Sequence, residues 1–126
     1  MSGNGWMKMN KPIKTYDAYE IVKVPFPFTD TKTTKVRPAL ILSSAKSFNS
    51  KIGFSIMAMI TSIQPDRELW PSDIVIENLQ LAGLPVPSII RFKIFKLDHR
   101  LIMGRLGNLS KRDKRHAQDK LKEVLF

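Results

Sequence analysis

Residues 35–43 read KVRPALILS, and the rest of the chain arranges itself around how that stretch is taken. From Pro38 to Leu42 the side chains are apolar whichever way they point, so the strand is covered on both faces and belongs in the middle of a sheet. Arg37 stands at its entrance, one residue before Pro38, which biases the arginine toward extended backbone. A guanidinium on so fixed a base suits bidentate contact with a phosphate, or a transition state that gains negative charge. It would serve equally as a solvated strand end, and Arg37 alone does not choose between the two.

Upstream, YEIVKVPFPF (residues 19–28) opens as a β-rich run and then sets Pro25 and Pro27 two residues apart. Both missing donors fall on one edge, so that end of the strand is unpaired or leaving the sheet. TDTKTTK (residues 29–35) is polar throughout and joins this strand to the next as a mobile hairpin loop. Downstream, GFSIMAMITS (residues 53–62) predicts a third strand, with two hydroxyl residues at its end before the turn signal QPDRE. A short strand, SDIVIE, follows, and then PVPSIIRFKIFKL (residues 85–97) alternates apolar bulk with Arg91, Lys93 and Lys96. Its register slips at Phe95 and Lys96, where a bulge is expected. Ser110 with Asp113 three residues on forms an acidic variant of the capping box, and Ala117, Leu121, Val124 and Leu125 share one face of the helix that follows. Short strands in sequence with a closing helix predict a mainly β fold, an antiparallel and partly closed barrel that hides its edges.

The chain is 126 residues long, one domain by size. Residues 1–14 read as a disordered tail, an expression remnant or an upstream start before Met9, and residues 15–126 as the single domain. Lysine and arginine total 21 against 11 acids, a formal charge of +10, which points to a polyanionic partner. The absence of cysteine excludes disulfides, thiolate nucleophiles and zinc–thiolate sites, and the longest apolar runs fall far short of the roughly 18 residues of a membrane span. A soluble cytoplasmic protein is the expectation.

Few motifs carry chemistry on their own. His99 and His116 lie 17 residues apart with no second ligand at metal-binding spacing, so no metal and no cofactor are expected. Gly104 and Gly107 lack the lysine and the context of a phosphate loop and read as turn glycines. No serine occupies a nucleophile elbow. The cationic set is more informative: nine Lys or Arg residues lie between Ile89 and Arg115 against two acids, Asp98 and Asp113. The interleaved Phe92 and Phe95 fall in the register of core residues rather than base-stacking ones.

YEIVKVPFPFTD, KVRPALILS and MITS stand in the order and spacing of the MazF and PemK toxin family, and the chain resembles that family from Tyr19 to its C-terminus. GLPVPSIIR (residues 83–91) and LIMGRLGNLS (residues 101–110) are similar to the family's later segments. The resemblance implies an SH3-like barrel with a C-terminal helix, usually a homodimer, that cleaves single-stranded RNA without a metal as the toxin of a type II toxin–antitoxin system. It puts the catalytic arginine at Arg37 and the catalytic hydroxyl at Thr61, with Ser62 beside it and Glu20 as a possible supporting carboxylate. Lys32, Lys35, Arg91 and Lys93 are the implied RNA contacts, and an antitoxin with an acidic or disordered tail the implied protein partner. Where relatives often begin the first strand with Gly-Asp, this chain has Tyr19 and Glu20. RNA brings its own nucleophile, the 2′-hydroxyl beside each phosphate, so the enzyme's task is to hold the phosphate in line and stabilise the pentacoordinate state. Two other readings use the same barrel: a toxin similar to CcdB that poisons DNA gyrase and cuts nothing, and an RNA-binding barrel with an idle catalytic pair.

Overall fold

The computed structural model describes residues 15–26 and 35–126. The expected tail, most of the loop at residues 29–35 and Lys32 lie outside them. The chain runs through β1 (Glu20–Phe26), β2 (Lys35–Ile41), a π-helical turn (Ala45–Asn49) continuing into α1 (Ser50–Ile52), then β3 (Phe54–Ser62) and β4 (Ile74–Val75). After these come α2 (Leu79–Ala82), β5 (Ser88–Asp98), a 3-10 turn (His99–Leu101), β6 (Gly104–Asn108) and α3 (Lys111–Leu125). The six strands form one sheet in the order β4-β5-β3-β2-β1-β6, antiparallel at every pairing. The expected mainly β fold with a closing helix is what the chain adopts.

The stretch from Pro38 to Leu42 runs through the middle of this sheet and is covered on both faces. Leu40 joins Ile21, Ala58, Ile60 and Ile90 in a core on one face, closed by Ala82, Leu84, Leu109 and Ala117. Ala39 and Ile41 join Val22, Val24, Met57 and Leu97 on the other, where Tyr16, Phe95 and Ile102 pack. Phe92 packs against the first core and Phe95 against the second, as their register implied. The curled sheet is sealed along β6 by α2. A Cβ on Gly107 would come within 2.3 Å of the Leu81 carbonyl oxygen, and one on Gly83, at φ +74, within 2.1 Å of that of Leu106. Gly104 and Gly107 both lie in β6 rather than in turns, and Gly107 is required by close backbone packing.

Three further details differ from expectation. The bulge in β5 comes earlier than Phe95: the register against β3 shifts between Ala58↔Ile94 and Met59↔Arg91, so Phe92 and Lys93 are the extra residues. SDIVIE pairs over only Ile74 and Val75, because the segment turns to deliver α2 to β6. Asp113 does not reach back to close a capping box. Ser110 Oγ accepts from the Asp113 amide, while the buried Asp113 carboxylate accepts from the amides of Glu77 and Asn78. That ties α3 to the chain after β4. The end of the helix's apolar face, Val124 and Leu125, is exposed.

β1 keeps two neighbours only as far as Lys23, opposite Gly104 on β6. From Val24 onward it pairs with β2 alone, through Pro25 and Phe26. The proline-bearing end of the strand is thus single-edged, as its missing donors require.

Candidate active site

β2 and β3 pair through Ile41↔Met57, Leu40↔Ala58 and Ala39↔Met59, and there the ladder stops. The next residue of β2 is Pro38, which has no N–H to offer a neighbouring strand. Continuing the antiparallel register two residues past Ala39↔Met59 sets Arg37 across from Thr61. Side chains two apart share a sheet face, so both belong to the face of Ala39 and Met59. Lys35 shares that face by the same alternation, and Lys35 and Arg37 are both exposed. Thr61 and Ser62 are half-buried at the end of β3. Past the last paired residues, a guanidinium on β2 and the Thr61 hydroxyl on β3 thus share a sheet face by this alternation.

Thr61 lines a small pocket with Ser62, Gln64, Arg67, Leu69 and Arg91 among its walls. Gln64 Nε2 donates to Ser62 Oγ at 2.8 Å, which holds the second hydroxyl and leaves Thr61 facing the pocket. Arg91, opposite Met59 on β5, is not a free cation. Its Nε and Nη2 donate to the two oxygens of Asp73 at 3.1 and 2.7 Å, and the Asp73 side chain is almost fully buried. Lys93 is exposed in the bulge.

The structure thus brings Thr61, Ser62 and Arg91 to one pocket, with Arg91 engaged by Asp73, while Arg37 and Lys35 lie exposed on the neighbouring strand outside its lining. It does not bring Glu20 there. Glu20 is four residues from Val24, the partner of Arg37, about 13 Å along the strand, and it pairs with Arg105 at 2.7 Å. Sequence reasoning passed over Arg67, Gln64, Trp70 and Asp73. Gln64, Arg67 and Trp70 follow or lie in a segment whose only visible signal was a turn, and Asp73, at the start of SDIVIE, reaches Arg91 across 18 residues.

A second polar group lies away from this pocket. Glu77, Asp113 and His116 bring possible ligand atoms within 4.8 Å of one another, a proximity that histidine spacing could not disclose. Both Asp113 oxygens already accept backbone amides, and Glu77 is also shared with Arg112, so the trio is accounted for as the clasp between α3 and the chain after β4. Among the described residues no helix is long and apolar enough to cross a membrane.

The curled antiparallel sheet with its C-terminal helix is a fold shared with solved MazF toxins. Residues 17–125 match the model of the PemK-like, MazF-like toxins of type II toxin–antitoxin systems. The chain belongs to that family. Its fold is similar to a MazE–MazF structure from Deinococcus radiodurans (TM-score 0.70, 22% identity, covering 89% of this chain and 97% of that one). It is also similar to an endoribonuclease in complex with its cognate antitoxin from a Mycobacterial species (TM-score 0.66, 12% identity, 87% and 94%). A MazF toxin of Mycobacterium tuberculosis is a third (TM-score 0.65, 15% identity, 83% and 94%). No curated protein matches the chain.

Proposed function

We propose that this toxin is a metal-independent endoribonuclease that cuts single-stranded RNA, mRNA above all, by attack of the RNA 2′-hydroxyl on the adjacent phosphate. What supports this reading is the β2–β3 register, which ends at Ala39↔Met59 and, carried on by two residues, sets Arg37 across from Thr61. Arg37 faces the phosphoryl oxygens with a planar fork and stabilises the charge they gain. Thr61 donates a hydrogen bond to the same oxygens from a strand end whose backbone is held on its β5 side. Ser62, held by Gln64, supports the hydroxyl side, and Lys35 and Lys93 attract the flanking phosphates. Arg91 orders the wall of the pocket through Asp73 rather than meeting a phosphate itself.

The nucleophile comes from the substrate, so the chain need supply no serine or cysteine. The 2′-hydroxyl loses its proton, the oxygen attacks phosphorus, and the departing 5′-oxygen takes up a proton. Cleavage leaves a 2′,3′-cyclic phosphate on one fragment and a 5′-hydroxyl on the other. The reading also implies a cytoplasmic homodimer, measurable by sedimentation, held in check by an antitoxin with an acidic tail.

Mapping the ends produced from a defined RNA tests the mechanism. Cyclic phosphate and 5′-hydroxyl ends are expected, with an unchanged rate in excess EDTA. A 2′-deoxy nucleotide immediately 5′ of the cut should stop cleavage there while binding persists. Ends bearing 5′-phosphate, or activity lost to EDTA and restored by magnesium, would give the work to water and a metal instead. A protein that inhibits growth without cutting RNA would return the choice to a gyrase poison.

A further inference from the structure

The chemistry at Arg37 and Thr61 leaves an aromatic side chain at the rim without a task. Trp70, in the segment between β3 and β4, remains 41% exposed. One face of its ring is covered by the Arg91 guanidinium, whose carbon lies 4.4 Å from the ring centroid, and Lys93 Nζ stands 5.5 Å from the same point. The Asp73 carboxylate that fixes Arg91 also accepts from the Trp70 amide at 2.7 Å. Ring, guanidinium and carboxylate are thereby one braced unit. The unit is joined to the site because Arg91 and Leu69 line the same pocket as Thr61.

An indole whose only purpose was to shield the Arg91–Asp73 pair would gain by being covered on its outer side. This one keeps apolar area in water beside cations on a strongly basic chain. An aromatic face flanked by cations is the arrangement that takes unpaired bases, since every base has a π face to stack and a phosphate attached to it. We propose that Trp70 is the stacking platform for one unpaired nucleobase of the bound RNA, next to the phosphate held between Arg37 and Thr61, with Lys93 reaching that nucleotide's own phosphate. The inference rests on the reading of the substrate as single-stranded RNA and adds the residue that clamps it. The rigid base under the ring means that the platform is in place before RNA arrives, so little ordering is needed on binding.

The test uses the full chain carrying Trp6→Phe, which leaves Trp70 as the single tryptophan of the two in the sequence. The probe is a mixed-sequence single-stranded 2′-O-methyl RNA, which retains bases and phosphates and cannot be cut through its 2′-oxygen. Binding should quench Trp70 fluorescence. Trp70→Ala should bind about 5- to 150-fold more weakly, the range measured for one stacked base, and Trp70→Phe should recover most of the loss. Placing one abasic nucleotide at each position in turn should find a position that costs the parent protein as much as Trp70→Ala does and costs Trp70→Ala nothing further. RNA that binds without quenching, unchanged affinity in Trp70→Ala, or abasic losses that simply add to the mutation at every position would overturn the platform while leaving the RNA reading intact. Quenching by an acidic peptide and not by RNA would also overturn it, in favour of a protein-docking surface. If the parent protein neither binds the probe nor cuts natural RNA, both readings fall together.

Discussion

Arg37 is held in place by its neighbours in sequence more than by any partner. Pro38 fixes its backbone and interrupts the ladder beside it, while Ala39 roots the strand in a core. Replacing Arg37 with alanine should abolish RNA cleavage and growth inhibition with little change in the unfolding midpoint, since the side chain is exposed. Thr61→Ala should lower the cleavage rate by roughly 10- to 1000-fold, the effect of one hydrogen bond to a transition state. Full toxicity in a folded Arg37→Ala protein would remove the assignment. His99 offers a different kind of test. It is buried, hydrogen-bonded through Nε2 to Ser55 Oγ and edge-on to Tyr16, and burial pushes its pKa below the ordinary 6.5 against the opposing pull of Asp98. The unfolded chain therefore takes up a proton near 6.5 that the folded chain refuses. The histidine's contribution to stability is complete above that pH and drains away as the pH falls below it. Asp98, lowered to about 2 by Arg100, titrates well beneath this window. Urea midpoints taken at about pH 7.5 and about pH 5 should separate for the parent and separate less for His99→Gln. Arg37 and Thr61 were singled out through the resemblance to the toxin family, with Pro38 marking the arginine's backbone in the sequence itself. Arg91 read as a free cation because its partner is remote in sequence, and Glu20 as a neighbour because strand position was not yet fixed. Tyr19 stands where relatives often carry glycine, and its φ of +69 keeps the left-handed conformation that glycine would adopt without cost.

At the scale of elements, what the sequence disclosed was periodicity and what it concealed was contact. β2, β3 and α3 were legible from apolar pattern and cap residues. The turn at Ala45–Asn49 and the four-residue α2 were not, since neither is long enough to show a helical period. The bulge was misplaced because Phe92 and Lys93 alternate correctly in sequence, and only the register against β3 reveals them as extra. Gly107 carries the most direct consequence. Its Cα faces the backbone of α2, and an added methyl would have to displace the Leu81 carbonyl and the Ala82 carbonyl carbon, 2.3 and 2.6 Å away. Gly107→Ala should therefore lower stability by about 1–3 kcal/mol, the usual range for overpacking, read as a drop in urea midpoint with an unchanged slope. A midpoint equal to the parent's would mean that α2 slides on β6 and does not seal it.

Across the whole molecule, charge is the property that sequence disclosed best. Of the excess of +10, +7 falls on β5, the segment beyond it and α3, and RNA binding should weaken with salt at a log–log slope near −0.7 for each phosphate neutralised. An acidic antitoxin-tail peptide should compete with RNA for this surface. A flat salt response would count against the cationic face, and simultaneous binding of peptide and RNA at saturation would separate the two surfaces. The fold class was legible from many short strands with a terminal helix. The sealing of the sheet by α2 and the clasp of Asp113 were not, because they depend on contacts between segments that no periodicity marks. The two surplus residues in β5 have one more effect. They uncouple the strand's two halves, so that Ser88–Arg91 keeps step with the end of β3 that bears Thr61 while Ile94–Asp98 follows the other end. A residue gained or lost in the outer half can be absorbed in that slack. The same change between Met59 and Thr61 would carry the hydroxyl out of line with the arginine. One strand thus holds a stretch where a change of length is absorbed and a stretch where it is not, and the second is the one that the proposed chemistry needs in line.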